Sequence, residues 1–247
     1  MSAPAPSGPL TAPVLHFSRS ALRNNAAAIA GRRGAVADLR RDARGCGLER
    51  IGRVLAEAGV HRAVLDEADL VTARALGLEP ADPPAGIDLD RVLGLPGSGG
   101  SAAVTLLSSV ASVKTLRAGE GVSYGLTHRA RRDTRIALVP GGYSHGIVRA
   151  LGNVVDVAID GRRRPIVGRV AMDVLVVDLG DHDVPSGAPV VLLGAAERGE
   201  PTLDDWARVT GMTAAELLTA VALRCGHEDD DEHEVDEHGV DEHEVGA

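Results

Sequence analysis

The sequence predicts an α+β protein: a short βα-alternating segment followed by a β-rich domain closed by two helices. Three observations predict it. Strand-like and helix-like patterns alternate from Pro13 to Gly77, the pattern of a parallel α/β layout. From Ala102 onward, Val-rich runs separated by Gly, Asp and Pro turns replace that alternation. Near the end, two stretches each open with a threonine followed three residues later by an acid, which is how helices begin.

Taken in order, Pro13–Ser18 is a short strand and Arg19–Gly31 a helix, with Leu22, Ala26 and Ile29 spaced four and three apart. Ala35–Leu39 is a strand. Gly45 and Gly47 form a tight turn into a helix over Leu48–Ala58, which places Ile51, Leu55 and Ala58 on one face. Ala63–Leu65 and Glu67–Leu76 are a weak strand and a helix ended by Gly77. The Pro- and Asp-rich stretch Glu79–Asp90 and the Gly-rich stretch Gly94–Gly100 carry no regular element in this reading. Strands follow at Val104–Leu116, Arg135–Val139, Val154–Ile159, Pro165–Val170, Val174–Asp178 and Pro189–Leu193. The closing helices are Leu203–Val209, capped by Thr202 with Asp205, and Ala214–Arg224, capped by Thr213 with Glu216. The expected organisation is a disordered arm (1–12), an α/β segment (13–100), a β domain (101–227) and an acidic tail (228–247).

Composition narrows the chemistry. The chain has 247 residues, 44% of them apolar and 2% aromatic. Among 26 basic residues only Lys114 is a lysine. Arginine stays protonated and cannot act as an amine nucleophile, so lysine chemistry has one candidate. No Gly-Lys-Ser/Thr phosphate loop is present, and the few aromatics cannot make a stacking platform for single-stranded nucleic acid. The net charge of −9 comes from the end of the chain. Residues 228–247 carry 11 acidic side chains and no Lys or Arg, which leaves the preceding body near +2. A near-neutral body argues against nucleic acid as partner. Cys46 and Cys225 stand far apart and outside metal-ligand spacing, as expected of reduced thiols. The sequence has no basic, apolar leader and no long uncharged apolar run, so the expected location is cytoplasmic and no membrane contact is expected.

The tail contains a tandem pentapeptide, Asp231–Val235, Asp236–Val240 and Asp241–Val245, in which His233, His238 and His243 recur every five residues. On an α-helix that spacing turns about 140° per step, so the histidines share no face. The tail reads as a disordered solubilising segment, with metal or protein binding as the alternative.

The densest chemical signal runs through the β domain. It comprises Val113-Lys114, the series Ala118-Gly119-Glu120-Gly121-Val122-Ser123-Tyr124-Gly125, and Gly142-Tyr143-Ser144-His145-Gly146 with Arg149. Gly152-Asn153, Val167-Gly168-Arg169 and Met172-Asp173 follow, with Asp178. This ordered series resembles the C-terminal β domain of the alanine racemases, enzymes that use pyridoxal phosphate. The resemblance implies that Tyr124 exchanges the α-proton on the L-alanine side. It further implies that the Met172 backbone meets the substrate carboxylate, that Asp173 is its acidic neighbour, and that Tyr143 stands at the mouth of the site. It also implies a dimer, because in this family these residues reach into the barrel of the other subunit.

The sequence departs from the family toward its N-terminus. In the segment Leu39 to Leu48, Arg40 stands at the position of the cofactor lysine, Arg44 at that of a phosphate-binding tyrosine and Cys46 at that of a histidine. Ser144-His145 stands where the family has Ala-Asp. From Arg19 to Gly100 there are roughly 80 residues, whereas a (β/α)₈ barrel takes about 200 or more. The expected architecture is therefore a degenerate member retaining mainly the β domain, with a barrel remnant of about two βα units. The expected function is an alanine-racemase-like protein of the L-alanine/D-alanine interconversion that supplies peptidoglycan. In this reading it is a non-catalytic partner forming a homodimer, or a heterodimer with a full-length racemase. An active pyridoxal-phosphate racemase and a binding role for the acidic His tail are the alternatives. No metal is expected, and no cofactor ligand is assigned.

Overall fold

In the computed structural model, residues 8–30 and 35–230 are described. Strand β1 (Val14–Phe17) and helix α1 (Arg19–Ala27) open the chain. An α/β layer follows: β2 (Val36–Asp38), α2 (Arg40–Arg44), α3 (Leu48–Glu57), β3 (Arg62–Val64), α4 (Leu70–Ala75), β4 (Glu79–Pro80) and α5 (Leu89–Leu93). Strands β2, β3 and β4 are parallel neighbours. Helix α3 buries Leu48, Ile51, Val54 and Leu55, a stripe with the three- and four-residue spacing of an amphipathic helix. Its Gly52 lies against Leu76 and Leu78, where a methyl group would sit only 3.1 and 3.0 Å from their side-chain carbons.

The expectation of a remnant of about two βα units is corrected here. The segment holds three parallel strands and five helices, and regular structure spans the described chain as seven helices and four sheets. The missing pieces lie in the stretch read as irregular. Strand β4 has two residues and contains a proline, so no run of apolar or β-branched residues announces it. Pairing creates it: Glu79 N donates to His61 O at 2.7 Å and Ala81 N to Ala63 O at 2.8 Å. Helix α5 is one short turn, capped by Asp88, whose carboxylate accepts from the Asp90 and Arg91 amides.

The same stretch turns back and covers the outer edge of β2. Gly86 N and Ile87 N both donate to Val36 O, at 2.8 and 3.0 Å. An uncovered strand edge is a template for aggregation, and this return removes part of it. Buried Asn25 on α1 fastens the return. It accepts from Ser101 N at 2.8 Å and donates to Ser101 O and Val92 O at 2.8 and 3.1 Å.

The β-rich part contains β5 (Val104–Ser109), β6 (Ser112–Leu116), β7 (Gly121–Val122), β8 (His128–Arg129), β9 (Thr134–Pro140), β10 (Asp156–Ile159), β11 (Arg162–Pro165), β12 (Val174–Gly180) and β13 (Pro189–Leu193). Helices α6 (Leu203–Thr210) and α7 (Ala214–Ala222) and strand β14 (Gly226–Asp229) complete the fold. A six-stranded sheet has the order β11-β10-β13-β5-β1-β14, and a second sheet the order β12-β9-β6. Strand β1 therefore pairs with β5 and β14, not with the parallel layer.

Three of the differences from the sequence pattern have a plain cause in the pairing. The run Val104–Leu116 divides at Val110-Ala111, because Val110 N donates to Ala188 O while Ala111 N donates to Leu138 O. One half thus joins each sheet. The strand expected at Pro165–Val170 sits earlier, as β11. It pairs with β10 across Asp160-Gly161, both with positive φ as a tight hairpin turn requires. Strand β14 runs into the acidic segment and is held by parallel pairing to β1. The two capping boxes form as the sequence indicates, Thr202 with Asp205 and Thr213 with Glu216.

The main core is continuous. It runs from Leu22, Ile51 and Leu55 through Phe17 and Leu106 to Trp206, Leu217 and Val221. A smaller cluster of Leu116, Val122, Ile136 and Val176 lies against the second sheet. Among the described residues no helix is long and apolar enough to cross a membrane. Residues 1–7 of the arm and the pentapeptide repeat with His233, His238 and His243 lie outside the described residues.

Candidate active site

Tyr124 sits at the tip of a backbone turn of unusual shape. Ser123 and Leu126 have φ of +61° and +45°, and Gly125 has +77°. L residues adopt this region at a cost, so surrounding bonds must hold the turn. Asn153, itself at φ +66°, is the brace. Its amide nitrogen donates to Thr127 Oγ1 at 3.1 Å, and its carbonyl oxygen accepts from Gly168 N at 2.6 Å. Gly168 must be glycine for two reasons: φ is +78°, and a Cβ would come within 2.7 Å of Ser123 Oγ. The phenol so presented is 72% exposed. Beside it opens a groove of about 460 Å³ lined by Lys114, Leu116, Val122, Ile136, Ala171 and Val174.

A second pair of loops lies at the Ala171 side. Gly141 N donates to Asp173 O at 2.8 Å, Tyr143 N to Ala171 O at 3.0 Å and Ser144 N to Met172 O at 3.0 Å. Gly142 leaves no room for a Cβ, which would collide with the Met172 carbonyl. The Ser144 hydroxyl lies 2.7 Å from Met172 O, 2.8 Å from Asp173 Oδ1 and 3.2 Å from His145 Nδ1. The structure thus brings Tyr143, Met172 and Asp173 into one strapped unit. Met172 and Tyr143 are 51% and 40% exposed, and the Arg149 guanidinium lies 5.3 Å from the Tyr143 ring centre. The Ser144 clamp was visible in the sequence only as a departure from the family motif. Its partners lie 28 and 29 residues away, beyond any local signal.

Arg40 stands elsewhere, at the C-terminal end of β2. Parallel α/β sheets bind ligands at that end of their strands. Arg40 is clamped to Asp38, Nε to Oδ1 at 2.8 Å and Nη2 to Oδ2 at 2.5 Å. That guanidinium holds the Asp38 carboxyl below the usual carboxylate range. The chain then makes a left-handed turn through Arg41, Asp42, Ala43 and Arg44, with φ between 51° and 61°. Asp66 accepts from Arg41 N at 2.6 Å, Asp42 accepts from Leu48 N at 2.6 Å, and Arg44 pairs with Asp90. Cys46 is fully buried, and burial pushes its thiol up to about 12.

These residues do not fit pyridoxal phosphate. A Schiff base needs an amine, and the guanidinium groups of Arg40 and Arg44 are engaged with carboxylates instead. The one lysine, Lys114, lies on β6 in the Tyr124 groove.

What the fold defines is a β domain presenting a phenol and a strapped, carboxylate-adjacent loop on its exposed side, joined to a parallel α/β layer. Residues 103–228 match the family model described as alanine racemase, C-terminal domain. The chain belongs to that family. Over 120 residues it is 51% identical to the alanine racemase of Mycobacterium avium (strain 104), a match covering 48% of this chain and 31% of that relative. The chain thus matches about a third of the length of such curated relatives.

The fold likeness reaches further. The alanine racemase from Streptomyces coelicolor A3(2) aligns with a TM-score of 0.73 at 21% identity, covering 89% of this chain and 98% of that one. The alanine racemase from Bartonella henselae, solved with covalently bound pyridoxal phosphate, aligns with a TM-score of 0.72 at 15% identity, covering 90% and 100%. The expectation of a truncated member retaining mainly the β domain is corrected by this span. The fold likeness covers the N-terminal layer as well as the β domain, at 15 to 21% identity.

Proposed function

We propose that this chain supplies the β-domain half of an alanine-racemase-type site for the interconversion of L- and D-alanine. The observation that carries the reading is the placement of Tyr124. Its phenol stands exposed on a braced turn beside a groove whose lining includes Ala171, the residue that precedes Met172 and accepts from Tyr143 N. Racemisation removes a proton from one face of a carbon and returns one to the other, which takes two acid–base groups on opposite faces. Tyr124 serves as one of them. The Met172–Asp173 loop and Tyr143 orient the substrate carboxylate at its mouth. The second group, a lysine, and the pyridoxal phosphate that makes the α-proton acidic belong to the partner's barrel, because Arg40 cannot serve as that amine. The partner is a complete racemase subunit. The pairing covers the apolar side chains Tyr124, Leu126, Val154 and Met172, which this chain leaves exposed.

Subunit complementation tests this. The purified chain is mixed with a complete racemase in which the tyrosine equivalent to Tyr124 is replaced by phenylalanine. Alanine racemisation is expected to recover in the mixture, to be absent for either component alone, and to be lost with Tyr124→Phe. Racemisation by this chain alone with added pyridoxal phosphate would overturn the proposal, as would a mixture that recovers nothing.

A further inference from the structure

We infer that the cavity between the Gly94–Gly100 segment and the six-stranded sheet binds a small apolar molecule that carries a cationic amine. Three adjacent strands build its floor. Leu193 on β13 and Leu15 on β1 are both cross-strand partners of Leu106 on β5, so the three form one apolar row. Leu203 at the start of α6 and Leu218 on α7 make one wall, and the glycine-rich segment after α5 makes the other. The space between them is about 530 Å³, a size that takes small molecules. It shares no lining residue with the Tyr124 groove, and the inference does not rest on the racemase reading.

The glycine-rich wall is held in place at both ends. A Cβ at Gly94 would collide with the Ser101 carbonyl, and one at Gly100 with the Arg91 carbonyl. Between these ends Gly97 and Gly99 have φ of +76° and +77°, a region that glycine enters without steric cost. Ser98 ties the turn, its hydroxyl donating to Leu95 O at 2.7 Å and its amide to the same oxygen at 3.1 Å. The course of the segment is thus fixed by its own bonds and close contacts, and it stands off from the leucine row.

Charge at the rim selects the ligand. Glu197 and Asp204 both border the cavity and are exposed. The cations around that corner are committed elsewhere: Arg198 to Glu200 at 2.8 Å, and Arg163 and Arg208 to Asp205 at 3.1 and 3.2 Å. Among the described residues neither Glu197 nor Asp204 has an ion pair, and no Lys, Arg or His lines the cavity. A glycine-rich turn beside a helix start commonly suits phosphate. Here Glu197, Asp204 and Asp205 gather negative charge at that point, which opposes an anion. An apolar body against the leucine row, with its ammonium group at Glu197 and Asp204, satisfies both features.

Hexylammonium, 1-hexanol and hexanoate share one apolar body and differ in charge, so they separate the chemistries; at pH 7 the alkylamine is protonated. Each is titrated into the full-length protein carrying ¹³C-labelled leucine methyl groups. Hexylammonium is expected to shift the methyls of Leu95, Leu193, Leu203 and Leu218 saturably. It should bind about fivefold more tightly than 1-hexanol, the worth of two partly exposed ion pairs. Glu197→Gln combined with Asp204→Asn should reduce hexylammonium to the level of 1-hexanol and leave 1-hexanol unchanged. Ala196 lies exposed on the rim, so Ala196→Trp should block binding while the methyl spectrum away from the cavity stays that of the parent. Equal binding of hexylammonium and 1-hexanol would overturn the proposal, as would tighter binding of hexanoate or no saturable shift at these methyls. Shifts that survive Ala196→Trp would put the ligand elsewhere, and shifts of the same methyls on diluting the protein without ligand would show a second copy as occupant; each overturns it equally.

Discussion

Gly142 shows how much one residue carries in this molecule. Three amides of the Gly141–Ser144 segment bond to the Ala171–Asp173 backbone, and the two chains come so close that any side chain at 142 would collide with Met172 O. Gly142→Ala is therefore expected to destabilise the protein by about 2 kcal/mol or more, since overpacking against backbone has no rotamer to relax into. Gly226→Ala is the control, because its nearest neighbour would be a Val14 methyl at 3.9 Å. Urea midpoints of the two variants check this; equal midpoints would show that the loops are not tightly strapped. At the same scale, Tyr124, Tyr143, Met172 and Asp173 were legible as motif positions. Their bracing by Asn153, Gly168 and Ser144 was legible only in part, because it joins residues 15 to 29 apart in sequence.

Among the elements, α6 carries the clearest electrostatic signature. Burial of Asp205 opposes ionisation, yet bonds from Thr202, Arg208 and Arg163 outweigh it and hold the carboxyl below the usual carboxylate range. A group whose pKa is depressed on folding stabilises above its unfolded value and loses that contribution as pH falls through the folded one. Asp205→Asn should therefore cost about 1 kcal/mol at neutral pH, the ordinary worth of a cap. The gap in melting temperature between parent and variant should hold from pH 7 to 5 and narrow below about pH 4. A gap that widens on acidification would contradict the assignment. Both capping boxes were readable because each needs only a threonine and an acid three residues on. The short elements β4, α2 and α5 were not, because neighbours rather than propensity create them.

The whole molecule is held at the junction of its two ends. The Arg50 guanidinium lies 4.0 Å from the Phe17 ring centre and grips Asp229 through Nε and Nη2 at 2.5 and 3.0 Å. Helix α3, strand β1 and strand β14 thus share one contact, and the core around them is continuous from α1 to Trp206. Heating should accordingly give one cooperative transition, with Trp206 fluorescence and far-ultraviolet circular dichroism coincident. Separated transitions would show that the α/β layer and the β-rich part melt independently.

The sequence by itself determined the family, the β-rich character after Ala102, the motif tyrosines and the absence of an amine at position 40. All of these are local: a residue type at a spacing, or a residue that is missing. Tertiary structure alone decided that the N-terminal segment is a three-stranded parallel layer, that residues 86–87 return to cover β2, and that β14 pairs with β1. The physical reason lies in where the free energy comes from. A two-residue strand or a five-residue helix has almost no stability of its own, because closing so few backbone bonds does not offset the entropy of ordering them. Such elements exist only where distant partners supply the remaining hydrogen bonds and burial, and those partners are far away in sequence.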